Sequence, residues 1–165
     1  MIIRLRPYQR EMLIEHFSSK YTSPKHLQDR FGRPMTEQEI SQYVSGLDFE
    51  KDYLIADLDV SLPEPRIEAF GHLVMLPDGN AEFGVSWTQG GFEAAARVSN
   101  VAYELLTEFK PRNLKEIKLH VYKGLAKTIM PILDGSRKGT FQSAVGVPRV
   151  RHAGRFPVDM SVIWI

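Results

Sequence analysis

Two hydrophobic rhythms run along this chain, one of about 3.6 residues and one of two, and the switches between them mark out its elements. Ile2-Ile3-Arg4-Leu5 reads as a short strand closed by Pro7, and Pro7 suits the first turn of a helix. Tyr8, Met12, Leu13 and Phe17 then recur at the spacing of one helical face. Residues 18–34 are polar, with two prolines and a glycine, and read as a loop. Thr36-Glu37-Gln38-Glu39 has the form of a capping box, in which Thr36 is the N-cap and Glu39 reaches back to it. Ile40, Tyr43, Val44 and Leu47 follow on one face, so a second helix is predicted that stops near Gly46.

From Asp52 the period falls to two. Residues 53–60 read as a strand, ended by Pro63-Glu64-Pro65. Residues 66–76 alternate, with Ile67, Ala69, Gly71, Leu73 and Met75 on one face and Arg66, Glu68, Phe70, His72 and Val74 on the other. Pro77-Asp78-Gly79-Asn80 is a dense turn signal, and residues 81–87 alternate again, which predicts a β-hairpin. Thr88-Gln89-Gly90-Gly91 breaks the strand, and Val98, Val101, Ala102, Leu105, Leu106 and Phe109 form the apolar stripe of a long helix ended by Pro111. Ile117, Leu119 and Val121 give another strand, and residues 125–133 a short helix. Residues 135–146 are loop-like, and 146–155 pair with a closing strand over 158–165. The order β-α-α-β-β-β-α-β-α-β-β implies a central sheet with helices on its faces, an α/β or α+β class.

Composition narrows the chemistry. At 165 residues one domain, 1–165, is expected, and 43% hydrophobic with 25% charged residues excludes a disordered tail or a rod. The absence of cysteine removes disulfide scaffolds, thiolate zinc sites and cysteine nucleophiles. Lys+Arg of 21 against Asp+Glu of 20 leaves no global charge for binding a polyanion. No signal-peptide core and no membrane-spanning run is present, so a cytoplasmic address and no membrane partner are expected. There is no G-x-x-x-x-G-K-[ST] phosphate loop, no HExxH and no GxSxG. The five histidines, His16, His26, His72, His120 and His152, lack the spacing of a helical metal site and are expected on the surface or as satisfied core residues.

Three features carry candidate chemistry. Gln89-Gly90-Gly91-Phe92 lies where a strand gives way to a long helix, so free N–H groups and the positive end of a helix dipole converge there; it suits a pyrophosphate or carboxylate, or is a plain turn. Arg137, Lys138, Arg149, Arg151 and Arg155 lie in a stretch without an acid, which would suit an acidic, phosphorylated or nucleic-acid partner, or is a solvated loop. Glu68 and Glu82, on the polar phase of two paired strands, are carboxylates that burial would turn into general bases; otherwise they are exposed strand residues.

The succession of elements resembles the Gcn5-related N-acetyltransferase (GNAT) fold over nearly the whole chain, above all in the hairpin 66–87, the glycine loop and long helix 89–109, and the strand 116–122. The resemblance implies a mixed, mostly antiparallel sheet with helices on both faces. It implies an acyl-CoA-dependent N-acetyltransferase, with acetyl-CoA as co-substrate in the splay between the fourth and fifth strands. Backbone groups around Val85, Ser86 and Trp87 would polarise the thioester carbonyl, and Gln89, Gly90, Gly91 and Phe92 would hold the pyrophosphate. Glu82 would take the proton of the attacking amine, of a small molecule or a protein, without a covalent enzyme intermediate. The family's loop reads [RQ]-x-x-G-x-[GA]; starting at Gln89 places Phe92 and Ala94 at its small positions, and starting at Thr88 places Gly91 and Glu93 there. Arg149, Arg151 and Arg155 would steer an acidic or phosphorylated substrate. In the second reading, a GNAT-fold protein without catalysis binds a protein or nucleic acid through the basic 137–155 segment. The apolar end Val162-Ile163-Trp164-Ile165 suits a homodimer contact or a core strand.

Overall fold

The computed structural model of the chain describes residues 1–19, 34–75, 81–88, 91–107, 116–121, 141–148 and 158–164. Its strands are β1 (Ile2–Arg4), β2 (Tyr53–Asp59), β3 (Arg66–Met75), β4 (Ala81–Trp87), β5 (Glu116–Val121), β6 (Phe141–Pro148) and β7 (Val158–Trp164). The α-helices are α1 (Arg10–Ser18), α2 (Glu37–Ser45) and α3 (Gly91–Thr107), with a 3-10 turn at Pro7–Gln9 before α1. The strands form one sheet in the order β1-β2-β3-β4-β5-β7-β6. Every neighbouring pair is antiparallel except β4 and β5, which run parallel.

Local signals explain several boundaries. The Thr36 hydroxyl accepts from the Glu39 N–H at 3.2 Å, and Glu39 Oε1 accepts from the Thr36 N–H at 3.4 Å, so the capping box opens α2 as its sequence implies. Gly46 ends that helix in a right-handed conformation with its N–H on the carbonyls of the last turn. Tyr8 departs from expectation. It lies in the 3-10 turn, out of phase with the α1 stripe, and is 83% exposed while Leu13 and Phe17 are buried. The penultimate strand also lies earlier than the alternation over 146–155 suggests. Its ladder runs from Phe141 opposite Trp164 to Pro148 opposite Val158. Pairing with β7, more than intrinsic strand preference, selects that window. The predicted helix over 125–133 falls outside the described residues.

The middle of β3, residues 69–73, is buried on both faces. Its even positions meet the α1–α2 pair: the Phe17 ring stands edge-on to Phe70 at 5.6 Å, and the Tyr43 hydroxyl lies 2.7 Å from His72 Nδ1. On the opposite face Gly71 meets α3, whereas Ile67, expected on the Gly71 face, lies beyond a bulge at Glu68 and joins Phe70 in the α1–α2 core cluster. At Gly71 a Cβ would stand 2.7 Å from Val101 Cγ1 and 3.3 Å from Leu105 Cδ2. The face carrying Phe70 and His72, the polar phase of the sequence, is therefore a core face. Each large apolar side chain buried there contributes about 1.5–3 kcal/mol. Arg97 of α3 reaches Asp57 of β2 at 3.4 Å, which fixes the helix across the strands.

The close approach at Gly71 makes a direct prediction. Gly71→Ala will lower unfolding stability by about 1–3 kcal/mol, and combining it with Val101→Ala will cost less than the two changes added. Denaturant melts of the four proteins check this; strict additivity would place α3 farther from β3.

Candidate functional site

The site begins with the backbone of β4. The Thr88 N–H bonds the Glu68 carbonyl at 2.9 Å, continuing the β3–β4 register in which Trp87 faces Ala69, Ser86 faces Phe70 and Val85 faces Gly71. Antiparallel ladders alternate. Ser86 and Gly84 therefore bond β3, and Val85 and Trp87 turn their N–H and C=O groups to the opposite edge, towards β5. There the parallel ladder joins only Ala81 with Leu119 and Glu82 with His120. Among the described residues the C-terminal half of β4 has no strand partner on that edge. The helix α3 begins at Gly91, just past the open end of the notch.

On the α1 face the even side chains of β4 meet a buried histidine. His16 is 3% exposed; Nδ1 lies 3.1 Å from the Ile67 carbonyl and Nε2 lies 2.8 Å from Ser86 Oγ. A carbonyl only accepts, so Nδ1 carries the proton and Nε2 accepts from the serine hydroxyl. Burial lowers the His16 pKa from 6.5 to about 4, outweighing the opposing pull of the Ile67 carbonyl and of Glu68, so the ring is neutral at pH 7. Beside it, Thr88 Oγ1 donates to Glu68 Oε2 at 2.5 Å, and Arg66 Nε pairs with Glu68 Oε1. A cavity of about 30 Å³ separates Met12, Glu15, His16 and Ser19 of the α1 segment from Arg66, Ile67 and Thr88 of the hairpin.

The residues singled out in the sequence divide accordingly. Val85 is buried in the phase that meets α3, Ser86 is held by His16, and Trp87 is half-buried at the notch. Ser86 sends its backbone groups to β3, so of the three expected positions only Val85 and Trp87 face the notch. Glu82 lies opposite Val74 and His120, near the hairpin turn. Gly91 and Phe92 form the first residues of α3. Gln89, Gly90, Arg149, Arg151 and Arg155 lie outside the described residues. The residues that sequence reasoning missed are His16 and Thr88. For His16 a signal existed, because Leu13, His16 and Phe17 share one helical stripe and a polar residue in such a stripe needs a buried partner. No group of His, Asp or Glu suited to a metal ion occurs among the described residues, and no helix among them is long and apolar enough to cross a membrane.

Solved structures of acetyltransferases share this architecture. One is an acetyltransferase of the GNAT family from Staphylococcus aureus Mu50, with 12% identity over 99% of this chain and 98% of that one and a TM-score of 0.61. The ribosomal-protein-alanine N-acetyltransferase from Brucella melitensis matches at 11% identity, 98% and 97% coverage and a TM-score of 0.59. A GNAT superfamily phosphinothricin acetyltransferase from Sinorhizobium meliloti, solved in complex with AcCoA, matches at 9% identity, 98% and 85% coverage and a TM-score of 0.59. No family model matches the sequence, and the search of curated proteins finds no match. The chain thus has the Gcn5-related N-acetyltransferase fold, as the order of its elements implies.

The buried imidazole makes stability depend on pH with a definite sign. The folded pKa of about 4 lies below the unfolded 6.5, so the unfolded state binds the proton first. The contribution is intact above pH 6.5 and lost as pH falls towards 4, a loss of about 3 kcal/mol. His16→Asn will flatten the profile between pH 6.5 and 4 relative to the unmodified protein in denaturant melts. Equal slopes in the two proteins would contradict a buried neutral ring.

Proposed function

We propose that this protein is an acyl-CoA-dependent N-acetyltransferase that moves an acetyl group from acetyl-CoA directly to an amine of a small molecule or protein. The observation that supports this best is the notch: a parallel β4–β5 ladder of two residue pairs, then a stretch of β4 with no strand partner on that edge among the described residues, then a helix N-terminus at Gly91. The pantetheine arm of coenzyme A carries amides that can continue such a ladder, and its pyrophosphate suits the positive end of a helix. These residues fit the co-substrate, which supplies the activated acyl group.

The chain's own contributions follow from the strand's alternation. The N–H groups of Val85 and Trp87 are directed at the notch, where they polarise the thioester carbonyl and stabilise the oxyanion that forms when the amine attacks; a single donor of this kind is worth about 10²–10³ in rate. The amine nitrogen bonds the carbonyl carbon, the carbon–sulfur bond breaks, and the thiolate leaves. For the amine's proton, the resemblance implies Glu82.

Calorimetry with acetyl-CoA tests the reading. Saturable binding is expected, with about 2.7 kcal/mol of added stability at a hundred times the Kd. Gly91→Asp will abolish it while keeping the fold, because a carboxylate at a helix N-terminus favours the helix but repels a pyrophosphate. Absence of binding at millimolar acetyl-CoA would remove the enzyme reading.

A further inference from the structure

β1 is the outermost strand at its side of the sheet, and among the described residues no strand lies beyond it. Its ladder shows which backbone groups face outward. The Met1 ammonium bonds the Leu58 carbonyl at 2.9 Å, the Leu58 N–H bonds the Met1 carbonyl at 2.8 Å, and the Leu5 N–H bonds the Leu54 carbonyl at 2.8 Å. Antiparallel bonding alternates, so Ile2 and Arg4 turn their N–H and C=O groups away from β2. Such a row is a template for another strand. Apolar surface collects at the same edge. The exposed large apolar side chains among the described residues are Met1, Ile2, Tyr8, Val60 and Leu62. All five adjoin β1: Met1 and Ile2 open it, Tyr8 follows its end, and Val60 and Leu62 follow the last residue of β2, the strand it pairs with. Apolar residues scattered singly over a surface are ordinary, whereas a collection of this kind marks a contact.

We infer that β1 pairs antiparallel with β1 of a second copy of this chain, about a two-fold axis at Ile3. The outward groups select this register. Ile2 opposite Arg4 of the other copy gives four backbone bonds, whereas Ile2 opposite Ile2 gives two, and Arg4 opposite Arg4 sets like charges together. The same register matches the flanks of the strand. Leu5 of one copy falls level with Met1 of the other, and the Pro7–Gln9 turn falls level with the other copy's Val60, two residues past the Leu58 that pairs with Met1. Tyr8 of each copy thereby meets the corner formed by Met1, Val60 and Leu62 of the other, and the apolar surface of both is covered. Charge agrees with this. Arg6 is exposed and has no ion pair among the described residues, and it falls level with the other copy's Asp59. The Asp59 carboxylate directs Oδ1 to Ser61 and leaves Oδ2 without a hydrogen bond among the described residues. A patch that complements itself about a two-fold axis is what an isologous dimer requires, and an unlike partner gives no reason for it. The contact is small, a strand of three residues with its flanks, so a Kd in the micromolar range is expected. The pairing is independent of the reaction, because the notch lies at β4, three strands away.

Sedimentation velocity from about 2 to about 200 μM protein is the test, and a reversible monomer–dimer equilibrium is the expected result. Tyr8 is 83% and Val60 53% exposed, so Tyr8→Lys and Val60→Glu leave the core untouched, and the melting temperature of the dilute protein will not move. Each contact occurs twice in the dimer, so a loss of about tenfold per contact makes each variant associate with itself about 100-fold more weakly. Mixing the two variants will restore pairing to within about tenfold of the unmodified protein, because one contact then sets Lys against Glu and the other keeps Tyr8 against Val60. Ile2→Pro removes an outward N–H and none of the bonds to β2, and it too will leave a monomer of unchanged fold. A chain that stays monomeric at about 200 μM, far above a micromolar Kd, overturns the inference and leaves this edge to an unlike strand. A dimer that Tyr8→Lys and Ile2→Pro leave intact also overturns it and places the contact elsewhere, such as at residues 162–165. So does a mixture of Tyr8→Lys and Val60→Glu that pairs no better than either variant alone.

Discussion

β3 is packed from both sides, and at Gly71 the helix α3 comes so near that even a methyl group would overlap Val101. This contact sets the depth at which α3 rests on the sheet and, through the short link from β4, where the N-terminus of the helix comes to lie. The opposite face of the same strand carries Phe70 and His72 against Phe17 and Tyr43, which seats α1 and α2. Because close-packed interiors transmit small displacements, a shift of either layer would move the other through β3. The notch and the cavity are thus positioned by one strand whose central residues, Ala69–Leu73, are buried on both faces.

β4 then divides two duties between its alternate positions. Its odd residues Val85 and Trp87 aim backbone groups into the notch, and its even residues Ser86 and Thr88 aim hydroxyls at the α1 face. His16 ties the second set in place by joining Ser86 of β4 to the Ile67 carbonyl of β3. A neutral ring can make both contacts at once, because one nitrogen donates and the other accepts; a charged imidazolium would have no lone pair for Ser86. Burial, which holds the ring neutral, is thereby part of how the hydroxyl row is kept in line.

Much of this fold was legible from residue pattern alone, wherever a signal is local. The Thr36–Glu39 box, the alternation across the hairpin and the Val98–Leu105 stripe each encode their element within a few residues, and the structure has all three. Signals that depend on distant partners were not legible. Phe70 and His72 fall in the polar phase of β3, and only the arrival of α1 and α2 makes that face a core. The extent of β6 is decided by its ladder to β7. Thr88 looked like the end of a strand, and its significance comes from Glu68 across the hairpin, twenty residues away in sequence. Glu82 follows from the resemblance, which places a base on β4, whereas Glu68 lies on the neighbouring strand beside Thr88.

The central claim is that the notch-facing edge of β4 receives acetyl-CoA. Amide hydrogen exchange, followed residue by residue with and without acetyl-CoA, tests it most directly. The Val85 and Trp87 amides, which face the notch, will gain protection when acetyl-CoA binds, and those of Gly84 and Ser86, already bonded to β3, will change little. Protection of Gly84 and Ser86 instead, or no change along β4 at saturating acetyl-CoA, would contradict the account.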